Sequence, residues 1–205
     1  SYYQTSKHFI ARSLNQKPDY LTLSLSDGDQ FNVLQKDRPV EFHLVVDLSR
    51  LKMRFYYLDG ESNERVLVKT YKIAAGKPDA NSPSGSITPL GTFLLGGRIA
   101  VYKPGMMGTY NNEQVEMLQV FGTRWIPFEK AIANNTGPAR GLGIHGVPLV
   151  PDPQTGEFVE EEGDIGRYGS SGCIHLRRAE MEDLFAVIIT KPSYVHIVRD
   201  FSEAD

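Results

Sequence analysis

The one cysteine in the 205-residue chain, Cys173, lies in the run Tyr168-Gly169-Ser170-Ser171-Gly172-Cys173-Ile174-His175-Leu176. A free thiol has a pKa of about 8.5, so a nucleophilic cysteine needs a base or a positive field beside it. Histidine is the natural base, with an ordinary pKa of about 6.5. Five are available: His8, His43, His145, His175 and His196. His8 falls in an N-terminal arm, and His43 and His196 sit in strand patterns that suit structural roles. His145 stands in Gly143-Ile144-His145-Gly146-Val147-Pro148, where flanking glycines let backbone pack closely around the ring. His175 follows Cys173 by two residues and shares its face if the chain is extended there. Gly172 lets the backbone turn so that consecutive N–H groups converge on the oxyanion formed when a thiolate attacks a carbonyl. Ser170 and Ser171 can add side-chain hydrogen bonds. A helix starting near Arg178 would favour a thiolate if its N-terminus pointed that way.

The same residues admit plainer readings. Cys173, flanked by Ile174, could be a small core hydrophobe. His145 could be a turn residue, and the serines and glycine a tight turn. His145, Cys173 and His175 could also hold zinc with an open position, although the usual close ligand spacings are missing.

The elements that must position these groups are mainly strands. Residues 42–48, 51–58 and 65–75 alternate and are joined by short polar turns, which predicts an antiparallel meander. Thr88-Pro89-Leu90-Gly91-Thr92-Phe93 leads into a strand ending near Ile99. Residues 102–116 are irregular and suit a flap over a cleft. Residues 117–121 and 124–128 read as two short strands, and 134–143 as a loop. The segment 148–168, rich in Pro and Gly, is a long excursion between the two marked spots. Arg178 to Thr190 is the one clear helix, with Met181, Leu184, Phe185 and Ile188 at helical spacing and Lys191-Pro192 ending it. Ser193 to Val198 is a final strand. Residues 1–20 suit a short helix or extended arm. Leu21 to Leu25, the turn Asp27-Gly28-Asp29 and Gln30 to Leu34 predict a hairpin. The expected fold is mostly β, an antiparallel sandwich or partly closed barrel with one main helix after the cysteine. Residues 1–40 are expected to form an N-terminal arm or accessory hairpin and 41–205 the domain that carries the candidate residues.

A formal net charge of −3 argues against a polyanion, and hence nucleic-acid, partner. No uncharged run approaches the roughly 20 apolar residues of a membrane span. A lone cysteine excludes an internal disulfide and a multi-cysteine metal site. No signal peptide is visible in the polar first ten residues.

Ser170-Ser171-Gly172-Cys173-Ile174-His175-Leu176 resembles the Ser-His-Gly-Cys-(Ile/Val)-Arg-Leu signature of the YkuD-type L,D-transpeptidases. Ile144-His145-Gly146 is similar to the family's upstream histidine element. Thr88 to Phe93 is similar to its Thr-Pro-x-Gly-x-Phe segment, and Ala75-Gly76-Lys77 to its strand-end glycine. The resemblance spans roughly residues 41–199. It implies a β-rich fold, a site in the bacterial envelope, periplasmic or extracytoplasmic, and a peptidoglycan stem-peptide substrate. It implies no cofactor and no metal. Cys173 would be the nucleophile, His145 the general base and the Gly146 carbonyl the group that orients it. Gly172 and Cys173 amides would form the oxyanion hole, shaped by Ser170 and Ser171. His175, Arg177 and Tyr168 would meet substrate. The acyl-enzyme would pass to an amine of a second stem, to an envelope lipoprotein lysine, or to water. The chain departs from the signature at Ser171, in place of histidine, and at His175, in place of arginine, which puts specificity in question.

Overall fold

The computed structural model describes residues 5–15, 24–34, 37–161 and 163–204. In chain order the main elements are helix α1 (Lys7–Asn15), β1 (Val40–Asp47), β2 (Lys52–Asp59), β3 (Glu64–Lys72), β4 (Ala75–Gly76), β5 (Gly91–Leu95) and β6 (Ala100–Val101). There follow β7 (Met107–Tyr110), β8 (Glu113–Glu116), α2 (Leu118–Phe121), β9 (Arg124–Ala133), β10 (Gly143–Gly146), β11 (Leu149–Pro151) and β12 (Phe158–Glu160). The chain closes with β13 (Tyr168–Ser170), β14 (Ile174–Leu176), α3 (Arg178–Ile188) and β15 (Ser193–Val198).

One nine-stranded sheet runs β14-β10-β9-β5-β15-β1-β2-β3, with β6 also on β9. It curls into a half-barrel, so the partly closed barrel, and not the sandwich, is the form the fold takes. Period-two patterning places Phe42, Leu44 and Val46 of β1 inside, where Leu44 pairs with Phe55 and Val46 with Met53. Phe93 and Phe128 stack in the core with ring centroids 4.9 Å apart. Helix α3 packs into the core through Met181, Leu184, Phe185 and Ile188, all buried. Helix α1 packs against α3: the His8 ring meets Phe185 edge-on at 5.1 Å, and Arg12 pairs with Asp183.

The meander β1–β2–β3 is antiparallel as the alternation predicts. Two neighbouring pairs, β1–β15 and β10–β14, are parallel, because strands distant in sequence complete the sheet. The expected strand at 117–121 is instead the helical turn α2. The chain must reverse there, and Gly122 closes the turn at φ +59, where an added Cβ would stand 2.6 Å from the Val147 carbonyl. The strand expected at 124–128 runs on to Ala133. The flap at 102–116 is partly ordered as the hairpin β7–β8, with Asn111 and Asn112 at φ 51 and 66, values suited to a two-residue hairpin turn. Of the N-terminal hairpin, Leu21 to Leu23 lie outside the described residues. The turn at Asp27–Asp29 is present, with Asp29 N–H donating to Ser26 O at 3.2 Å, but Gln30 to Leu34 are not a strand.

Candidate active site

Strands β10 and β14 lie side by side in parallel register, with Ile144 opposite Ile174 and His145 opposite His175. Both isoleucines are fully buried on the core face. The alternation therefore turns both histidines to the other face, and Cys173, two residues before His175, goes with them. On the other flank of β10, Trp125 of β9 pairs with His145 and shares that face. The result is a cleft of about 480 Å³ floored by Cys173, His145 and His175. Its walls include Tyr110 of the β7–β8 hairpin, Phe121 of α2, Trp125 and Pro148. Phe121 meets the His145 ring edge-on at 5.3 Å.

The turn before Cys173 is clamped from two sides. Gly172 has φ +114, and an added Cβ would stand 2.9 Å from Leu142 Cδ2, so the backbone there suits glycine alone. Ser170 Oγ donates to the Cys173 carbonyl at 2.6 Å and accepts the Gly172 N–H at 3.1 Å. Thr88 Oγ1 accepts the Gly76 N–H at 2.8 Å and donates to the Gly172 carbonyl at 3.0 Å. Thus the Thr88 segment and the Ala75-Gly76 strand end, distant in sequence, hold one turn. Of the two expected oxyanion donors, the Gly172 amide is engaged by Ser170. Ser171 is exposed and lines the cleft.

A carbonyl oxygen only accepts, so the 2.7 Å contact between His145 Nδ1 and Gly146 O places the proton on Nδ1 and leaves the Nε2 lone pair free. Burial holds the His145 pKa well below 6.5, and the neighbouring His175 lowers it further, against the Gly146 carbonyl, which raises it. Burial pushes the Cys173 thiol up to about 11, opposed by a backbone hydrogen bond with Gly143. The resting pair is therefore neutral thiol and neutral imidazole. The thiol's own weak contact is to Gly141 O, at 4.0 Å. With both groups neutral, a thiolate forms here only if a proton moves to Nε2.

The expected substrate contacts divide. His175 lines the cleft, and its ring lies 4.2 Å from that of His145, centroid to centroid. Arg177 does not line it: β14 ends at Leu176, and the Arg177 side chain is 62% exposed and paired with Glu160 at 3.5 Å. Tyr168 also lies outside, because β13 pairs with β4 and its hydroxyl donates to Leu48 O. Sequence reasoning missed Asp164, whose carboxylate oxygen lies 2.5 Å from His175 Nδ1. No local spacing announces it, since the contact depends on how the excursion folds back. Trp125 and Phe121 were missed as cleft walls, although the register of β9 on β10 explains the first. Among the described residues no group of three His, Cys, Asp or Glu side chains is arranged to hold a metal ion.

The family model of the L,D-transpeptidase catalytic domain (YkuD) matches residues 41–197. No curated protein matches the chain. Among solved structures, Bd1075 from Bdellovibrio bacteriovorus is similar with a TM-score of 0.52 at 16% identity, over 78% of this chain and 48% of that one. Pgp2 from Campylobacter jejuni, described as a helical cell shape determining protein, is similar with a TM-score of 0.51 at 19% identity, over 79% and 49%. The chain spans about half the length of these two proteins, and at such identities the likeness is one of fold. The family match covers most of the chain, from β1 to β15, and takes in the cleft, the Thr88 clamp and the paired strands β10 and β14: the protein belongs to the YkuD family of L,D-transpeptidase catalytic domains.

Proposed function

We propose that this chain is a cysteine acyl-transferase acting on peptidoglycan stem peptides. Cys173 attacks the carbonyl of the third stem residue. Its proton passes to Nε2 of His145, held in place by the Gly146 carbonyl. The sulfur–carbon bond forms, the carbonyl electron pair moves to oxygen, and the Cys173 amide receives that charge. Collapse breaks the C–N bond, and His145 returns the proton to the departing D-alanine amine. The acyl-enzyme is then resolved by an amine of a second stem, by a lysine of an envelope lipoprotein, or by water. The first gives a 3-3 cross-link, the second protein anchoring, and the third trims tetrapeptides to tripeptides. The observation that carries this reading is that His145, on β10, and Cys173, immediately before the paired strand β14, line one cleft.

The location that goes with this substrate is the bacterial envelope, periplasmic or extracytoplasmic. Residues 41–205 would be the catalytic unit and 1–40 an accessory arm. The description of the Campylobacter protein as a cell shape determinant supports a similar role in wall shape for this chain.

One competing reading is a wall-binding module without turnover, favoured by the buried, protonated thiol. Mass spectrometry after incubation with tetrapeptide muropeptides separates the outcomes. Dimers indicate transpeptidation, and loss of D-alanine without dimers indicates carboxypeptidase action. A carbapenem adduct on Cys173, absent in Cys173→Ala, is expected. No adduct and no product would leave the binding module as the function.

A further inference from the structure

The excursion between β10 and β14 is tied down at several points. Glu160, at the end of β12, accepts the Arg178 N–H at the start of α3. Gly163 and Gly166, at φ +84 and +87, frame a turn that carries Asp164. Gly166 N–H donates to Ile73 O at 2.9 Å, and Ala75 N–H donates to Arg167 O at 3.2 Å. Held this way, the segment sets the Asp164 carboxylate 2.5 Å from His175 Nδ1. The two side chains are 16% and 8% exposed, so solvent screens the pair weakly. His175 in turn packs on His145, with centroids 4.2 Å apart.

Attack by Cys173 turns His145 into an imidazolium beside His175. His175 by itself disfavours that cation; the carboxylate bonded to it opposes this effect and holds the neighbouring ring in one orientation. The other groups around the two rings do not carry such a charge. β9 presents Trp125, α2 presents Phe121, and the β7–β8 hairpin presents Tyr110. Ala74, just before β4, meets His175 of β14 through paired backbone hydrogen bonds. Cys173 and Tyr110 are the other titratable groups that line the cleft, and at the loop itself Lys72 lies over Gly166 and the Arg167 guanidinium over Gly163. His175 replaces the arginine of the family signature, and Asp164 is the partner that the changed residue uses.

We propose that Asp164 is a positioning residue for acyl transfer: its hydrogen bond fixes His175 against His145 and favours the cationic form that His145 takes as Cys173 attacks. This rests on the assignment of Cys173 and His145 as nucleophile and base.

The test uses the full chain with Asp164→Asn, Asp164→Glu, His175→Phe and the double variant Asp164→Asn/His175→Phe. In Asp164→Asn, kcat on tetrapeptide muropeptides is expected to fall on the order of ten- to a hundredfold, with KM changed less than about twofold. The acid limb of kcat/KM should move to lower pH, because the imidazolium loses a stabilising carboxylate. Asp164→Glu should recover most of the loss, and the double variant should be no slower than His175→Phe. Wild-type kcat with an unmoved acid limb in Asp164→Asn, or additive losses in the double variant, would overturn the proposal. If the wild-type protein does not turn over muropeptides, the reaction assignment fails by itself. Iodoacetamide alkylation of Cys173 at pH 7 then decides the role of Asp164. A rate about tenfold slower in Asp164→Asn supports it, and an equal rate overturns it. Circular dichroism identifies a variant that does not fold. If that is Asp164→Asn, His175→Phe carries the test: slowed alkylation supports the proposal and an unchanged rate overturns it.

Discussion

At Gly172 a single residue joins backbone geometry to chemistry. Its φ of +114 sets the backbone that leads into Cys173, and its missing Cβ leaves room for Leu142 Cδ2 and the Ile87 carbonyl. Gly172→Ala is expected to cost about 1–3 kcal/mol of stability, through backbone strain and the clash. Turnover should fall more than that cost alone explains, because the oxyanion donor moves. Thermal unfolding beside kcat/KM measures both, and wild-type activity in a folded Gly172→Ala protein would show that the turn does not position the amide. The glycine-framed histidine and the lone cysteine were legible as chemistry from their types and neighbours. The engagement of the Gly172 N–H was not, because it depends on Ser170 Oγ folding back onto it.

Among the elements, the segment from Thr88 to Phe93 has two roles. Its second half is strand β5, whose Phe93 fills the core, while Thr88 reaches two other parts of the chain. Thr88 is fully buried, and its hydroxyl satisfies the Gly76 N–H and the Gly172 carbonyl together. Thr88→Val keeps the shape but leaves one buried donor and one buried acceptor without this partner. A loss of about 2–4 kcal/mol is expected, with a parallel drop in Cys173 reactivity, and Thr88→Ser should restore most of both. Urea unfolding and thiol alkylation are the measurements. If Thr88→Val matches the wild type in both, the clamp is not what holds the turn. The strands were readable because alternation is local. α2 was not, because its helical turn closes at Gly122 against the Val147 carbonyl, which lies between β10 and β11 and is distant in sequence. Helix α3 has no side-chain cap from its own N-cap residue and takes Glu160 from the excursion, a contact no local pattern carries.

The whole molecule is expected to lose stability as the medium becomes mildly acidic. Burial lowers the pKa of His8 and of His196 to about 4, with cationic neighbours adding to the first and His43 and Arg65 to the second. Burial also holds His145 well below 6.5. The folded protein keeps these rings neutral, whereas the unfolded chain protonates them at about 6.5. Between that value and about 4 the unfolded state binds more protons, so stability falls as pH falls. Asp47 does not share this window. Its burial opposes ionisation, but hydrogen bonds from Arg50, Ser49 and Phe201 hold its pKa below 3.8. The urea midpoint should be lower at pH 5 than at pH 7, and an equal or higher midpoint at pH 5 would refute burial as the cause. By itself the sequence determined a β-rich chain with one long C-terminal helix and singled out Cys173 and His145, because alternation, helical spacing and residue type are written within a few positions. Tertiary structure alone decided that Thr88, Gly76 and Ser170 share one turn, that Arg177 and Tyr168 stand outside the cleft, and that Asp164 reaches His175. Those contacts join residues far apart along the chain, and their energy exists only once the half-barrel has closed around them.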